Sequence, residues 1–277
     1  MTPGLAKLGI VAGAGALPLR VAEACRQSGR AFHIVAVDEF ADVLEPSTPH
    51  TRVPISKIGA SIAALKGAGC KDVTFAGKLA RPDGKGVKLR PDLGGLEFLI
   101  RMFGMLGRSD DSLHRAISSM FGSRGLRIVS PLDAVPALGA SPGCMTARMP
   151  PPEMVRSFST ALQLAKAHGQ TRQGQAVVVE NGQVVARETR AGTDAMLQGL
   201  TPGKHPAGVL VKAMAPNQLP TIDPPAIGES TVVNAAKAGL AGILVEAGRS
   251  VIVDADLVRA RADALGLFIC AERVNDE

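Results

Sequence analysis

Leu8-Gly9-Ile10-Val11-Ala12-Gly13-Ala14-Gly15-Ala16-Leu17-Pro18 reads as an apolar strand, a tight turn and the first turn of a helix. Gly13 and Gly15 permit the turn, and Pro18 stands where a G-x-G-x-x-G loop would continue. The helical pattern covers 17–28, with Leu17, Val21, Ala24 and Cys25 on one face, and stops at Gly29. Phe32–Val37 follows as a second strand ending at Asp38. Ser56 is then expected to cap a helix whose Ile58, Ile62 and Leu65 share a face, and 72–75 is a third strand closing on Gly77. Strand, helix, strand, helix, strand predicts a parallel, Rossmann-like sheet, since crossovers in such sheets are right-handed. Ligands of these sheets bind beyond the carboxyl ends of the strands, where Gly13, Asp38 and Gly77 stand.

Outward from this half, 96–106 is apolar around most of a helix, and Ser109 opens another helix with Asp110 and Asp111 in its first turn. Pro131, Pro136, Pro142, Pro150, Pro151 and Pro152 place a domain junction, so the expected domains are 1–135 and 136–277. The second reads as a distinct α/β domain. It has a helix over 153–168 and a hairpin of 175–180 and 183–188 across Asn181-Gly182. A helix then follows Gly192-Thr193-Asp194, with strands over 208–212, Gly242–Glu246, 250–254 and 267–270.

The 277 residues are 46% hydrophobic but only 3% aromatic, with neither Trp nor Tyr, so base-stacking platforms are lacking and no nucleic-acid partner is expected. A net charge of +6 favours anionic partners such as phosphates and nucleotides. Cys25, Cys70, Cys144 and Cys270 match no metal-ligand spacing and read as buried reduced thiols. Neither a signal peptide nor a membrane-spanning run is evident, and a cytoplasmic location is expected.

Pro216, Pro220, Pro224 and Pro225 stiffen the loop 215–228 and hold Asp223 within it. The loop follows a strand ending at Lys212 and leads into a helix start at Gly228-Glu229-Ser230-Thr231, so an acid, a lysine and free amides converge. The same pattern also describes a stiff connector with a capping acid. The turn Gly13-Ala14-Gly15 suits an anion but lacks the third glycine of a dinucleotide loop, which leaves a nicotinamide-dependent oxidoreductase as a weakly supported alternative. Lys78 and Arg81 follow the strand end at Gly77 as phosphate partners or as solvated charges. Asp110 and Asp111 suit Mg²⁺ or merely offset the helix dipole, and Gln175, Thr193 and Asp194 suit ligand contact or local capping. No H-E-x-x-H or G-x-S-x-G pattern is present.

Taken together, 8–18, Phe75-Ala76-Gly77-Lys78 with Arg81-Pro82, Asp110-Asp111, 174–179, 192–197 and Asp223 to Gly228 with Thr231 resemble the LpxI-type UDP-2,3-diacylglucosamine pyrophosphatases over nearly the whole chain. The resemblance implies a Rossmann-like N-terminal domain, a distinct C-terminal α/β domain, a homodimer, Mg²⁺ or Mn²⁺, and at most peripheral contact with the inner membrane. It further implies hydrolysis of an acylated UDP-sugar to UMP and 2,3-diacylglucosamine 1-phosphate in lipid A assembly. On that footing Asp223 and Lys212 are catalytic, and Asp223, Asp110 and Asp111 hold the metal. Gly13, Ala14, Gly15, Leu17, Lys78, Gln175, Thr193, Asp194 and Gln218 contact substrate. The chain departs from the family's pattern at Arg172, Ala191 and Leu219, where acids are usual, at Ala215, where a lysine is usual, and at Thr221, where an arginine is usual. Slower turnover or an altered substrate is the expectation from those losses, with a lipid- or nucleotide-binding homologue as the alternative.

Overall fold

The computed structural model describes residues 5–41, 44–77, 90–97, 110–216 and 224–274, the side chains of 110–115 excepted. The chain divides after Pro136 into two compact units. In the first, β1 (Leu8–Ala12) lies between β2 (Phe32–Val37) and β4 (Asp72–Ala76), with β3 (His50–Val53) and β5 (Arg127–Ile128) at the edges. All four pairings are parallel, as the Rossmann-like reading requires. Helices α1 (Leu17–Gln27), α2 (Ile58–Gly67) and α3 (Asp110–Gly122) accompany the sheet, and Val11, Val35, Leu65, Val73, Phe75, Met120 and Phe121 form a core with it. Phe75 and Phe121 meet edge to face with ring centroids 5.6 Å apart. The helical run 96–106 has only Leu96 and Glu97 among the described residues.

Two expectations for this unit need correction. The stretch before α2 contains β3, whose His50-Thr51-Arg52-Val53 is too polar and short to read as a strand, although it pairs along β2. Nor does Ser56 cap α2. Asp92, more than thirty residues on, accepts from the amides of Gly59 (3.2 Å), Ala60 (2.7 Å) and Gly95 (2.7 Å). Gly94 and Gly95 allow this approach, since a Cβ on Gly95 would lie 2.1 Å from the Ser56 carbonyl oxygen.

Burial alone would raise the Asp92 pKa, but the amides of Gly95, Ala60 and Gly59 and the charge of Lys57 outweigh it and hold the carboxyl below its usual range. Asp92→Asn is therefore expected to cost about 1–3 kcal/mol at pH 7 in denaturant unfolding. A carboxyl with a depressed folded-state pKa stabilises above its unfolded value, about 3.9, and loses that contribution as pH falls through the folded value. The gap between wild type and variant should accordingly narrow below about pH 4.

In the second unit the strand order is β6 (Gly143–Cys144), β13 (Phe268–Glu272), β11 (Gly242–Glu246), β9 (Val209–Lys212), β7 (Ala176–Glu180) and β8 (Gln183–Arg187). β13, β11 and β9 are parallel, whereas β7, β8 and β6 are antiparallel to their neighbours. The hairpin turns at Asn181 (φ 51°) and Gly182 (φ 75°), both in the left-handed region that a tight two-residue turn demands. Alternation along the strands makes two cores. Val178, Leu210, Ile243 and Ile269 pack with α6 (Glu229–Lys237) and α7 (Ala255–Ala264), and Val177, Val211, Leu244 and Phe268 pack with α4 (Phe158–Gln170). A short helix, α5 (Thr193–Gln198), follows β8; β10 (Ala226–Ile227) pairs with β12 (Val251–Ile252) outside the main sheet.

Cys25 and Cys70 are buried free thiols, as expected, but Cys144 and Cys270 are joined in a disulfide. The two stand opposite each other on β6 and β13, a proximity that their 126-residue separation conceals.

Candidate functional site

The second unit gathers polar side chains at the carboxyl end of β9. Lys212 is the last residue of that strand and lies opposite Ala176, so it adjoins Gln175 at the head of antiparallel β7. Its Nζ donates to the Thr193 hydroxyl (3.1 Å) and to the Ala226 carbonyl (3.0 Å). The Thr193 hydroxyl donates to Glu188 Oε1 (2.8 Å), and the Gln175 amide donates to Glu188 Oε2 (2.7 Å). Behind them His168 Nε2 lies 2.8 Å from the Glu188 carbonyl oxygen. Gly174 makes room for this, since a Cβ there would sit 2.5 Å from Glu188 Cγ. The Gln175 side-chain oxygen is buried without a hydrogen-bond partner among the described residues. Asn234 on α6 donates to Asp194 Oδ1 (2.9 Å), fixing α5 beside the cluster.

A second charged group sits at the carboxyl end of β11. Glu246 is 1% exposed, pairs with Lys166 of α4 at 2.9 Å and accepts from the Met214 amide at 3.0 Å. Met214 lies two residues beyond Lys212, so this buried pair anchors the root of the proline-rich segment. A Cβ on Gly169 would lie 2.7 Å from that of Ala215, so α4 also closes on this root.

In the first unit, Gly13 donates its amide to Ala76 (2.9 Å), which ties the end of β1 to the end of β4. Gly77 has φ 84°, and a Cβ there would meet the Ala14 carbonyl oxygen at 2.5 Å. β1 and β4 are the strands from which the sheet is wound in opposite directions, the position at which such sheets receive ligands. Leu17 begins α1, whose amino end has no side-chain cap.

The expected site residues therefore fall out as follows. Gln175, Thr193 and Lys212 are joined in one network, with Asp194 beside it. Gly13, Ala14, Gly15 and Leu17 form the turn of the first unit. Asp110 and Asp111 occupy the first turn of α3, and their carboxylates are outside the described side chains. Lys78, Gln218 and Asp223 lie outside the described residues. Among the described residues no three His, Cys, Asp or Glu side chains converge as metal ligands. Sequence reasoning missed Glu188, Glu246 and Lys166. Glu188 reads there as the last residue of a strand, and only its place between Gly174-Gln175 and Gly192-Thr193 hints at more. No helix of the described residues is long and apolar enough to cross a membrane.

Residues 7–138 match the LpxI N-terminal domain and residues 141–270 the LpxI C-terminal domain. The chain is also 38% identical over 271 residues, 95% of its length and 96% of the relative's, to the UDP-2,3-diacylglucosamine pyrophosphatase LpxI of Caulobacter vibrioides.

Proposed function

We propose, from the premise that the chain belongs to the LpxI family, that it hydrolyses the pyrophosphate of UDP-2,3-diacylglucosamine in lipid A synthesis. The products are UMP and 2,3-diacylglucosamine 1-phosphate. The observation that carries this reading is 38% identity across 95% of the chain to a relative named for that activity. The cluster at the end of β9 supports it, because a fixed ammonium beside a hydroxyl suits the charge of phosphoryl oxygens.

In the mechanism proposed, Lys212 offsets negative charge on the diphosphate as water attacks phosphorus and the anhydride P–O bond breaks. Asp223 orients that water. Carboxylates are the hard oxygen donors that Mg²⁺ prefers, so Asp223, Asp110 and Asp111 fit that ion as a donor set. Once bound, Mg²⁺ would supply further neutralisation of phosphoryl charge.

UMP release from UDP-2,3-diacylglucosamine with Mg²⁺ tests the reading. Asp223→Asn is expected to slow it by on the order of 10²–10³-fold, and excess EDTA should abolish it until Mg²⁺ is restored. Full activity of the variant would remove Asp223 from the mechanism, and full activity in EDTA would remove the metal. A second reading, binding without turnover, is favoured by the departures at Arg172 and Ala191. These precede Gly174-Gln175 and Gly192-Thr193 of the cluster. Product binding without UMP release would select it.

A further inference from the structure

We infer that Glu188 is a positioning residue for the reaction, acting on Lys212 through the hydroxyl of Thr193. The inference rests on the reading of this cluster as the diphosphate site. It follows from the direction of the hydrogen bonds, which chemistry fixes. A lysine ammonium can only donate, so the Thr193 oxygen accepts from Lys212 at 3.1 Å. A hydroxyl has one proton, and at Thr193 it goes to the carboxylate of Glu188 at 2.8 Å. The other carboxylate oxygen is taken by the Gln175 amide at 2.7 Å, so rotation of the carboxylate is resisted from both ends.

What separates Glu188 from a structural carboxyl such as Asp92 is its partner: one of its two donors is the hydroxyl that receives Lys212. Glu188 is 7% exposed, and burial of a carboxylate is costly unless charge and donors compensate it. Here two donors engage it directly, while the nearby cation is reached through a hydroxyl. Glu188 thus fixes the lone pair that receives Lys212, and so the direction in which the ammonium is held at the end of β9. An amide at position 188 has one oxygen for two donors, Thr193 O–H and Gln175 N–H, and must forfeit one of them.

The test is a double-mutant cycle in the full chain with Glu188→Gln, Thr193→Val and both together, and Thr193→Ser as the conservative variant. The measurements are kcat and KM for UMP release, pyrophosphate affinity by calorimetry, and Tm. Glu188→Gln and Thr193→Val should each lower kcat by about 10- to 100-fold, with KM changed much less. The double variant should fall little below the worse single one, because each change breaks the same relay. Thr193→Ser should recover about tenfold over Thr193→Val, since it restores the hydroxyl.

Losses that multiply in the double variant would overturn the proposal. So would losses that follow the drop in Tm with unchanged kcat per folded molecule, or a Thr193→Ser variant as slow as Thr193→Val. If the unmutated chain releases no UMP but binds inorganic pyrophosphate with the same non-additive pattern, the reaction is misassigned and the role of Glu188 stands. In a chain that releases no UMP, pyrophosphate binding indifferent to Glu188→Gln removes that role alone; in one that does, kcat unchanged by Glu188→Gln removes it, and a wild type that neither hydrolyses nor binds removes both.

Discussion

Lys166→Met is expected to destabilise the second unit by about 3–5 kcal/mol, because it strands a buried carboxylate. The Lys166 and Glu246 side chains are 4% and 2% exposed, with 2.9 Å between nitrogen and oxygen. Arg249 remains near Glu246, but at 3.7 Å and half in solvent it is a weak replacement. Calorimetry should show a fall in Tm on the order of 6–20 °C for a unit of this size. Adding Glu246→Gln should recover much of it, since the amide can still accept from the Met214 N–H while the unpaired charge is gone. A single variant that melts with the wild type would show that the pair adds nothing. UMP release should fall further than the folded fraction alone explains, because Glu246 holds Met214, two residues past Lys212 and nine before Asp223 in sequence.

What the sequence discloses and conceals divides along the same line. β1, β2 and β4 are legible because each is a short apolar run buried on both faces, and Gly13 and Gly77 mark their ends. The hairpin is legible because Asn181-Gly182 carries its turn geometry locally. β3 is not, since an edge strand of His, Thr and Arg lacks an apolar signature. The cap of α2 is supplied by Asp92, and no local rule points from Ile58 to a residue so far along the chain. Lys212, Thr193 and Gln175 stand out as strand-end and helix-end residues, whereas Glu188 gains its meaning only when β7 and β8 fold back beside β9. Lys166 looks like any solvated helical charge until α4 is laid over Glu246. Local pattern thus specifies the elements, and long-range pairing specifies the polar contacts that give a site its geometry.

Reduction of the Cys144–Cys270 bond is the other change with a large expected effect, about 2–5 kcal/mol against the second unit. The bond closes a loop of 126 residues and so restricts most of that unit's unfolded chain. Its position explains why it can form between strands. The Met145 amide donates to Ile269 at 2.9 Å, so the adjacent pair, Cys144 opposite Cys270, is one at which side chains approach most closely. After reduction β6 keeps that hydrogen bond and the one from the Ile269 amide to Thr146, and its flanks stay tied at Ala140 to Ser250 and at Ala147 to Asp263, so the loosening is confined to the β6–β13 pairing itself. Hydrogen exchange should therefore quicken first at Met145 and Ile269, while amides of β1 and β4 in the first unit keep their protection. Cys25 and Cys70 do not complicate the measurement, since burial raises both thiols' pKa, against opposing charges from Arg30 and Lys7 respectively, and withholds the reactive thiolate. Titration of the unfolded, unreduced protein should find two thiols, and four after reduction; four from the outset would show that the pair is not joined. A Cys144→Ala, Cys270→Ala variant should match the reduced protein to within the small packing cost of two lost sulfurs, and should be indifferent to reductant.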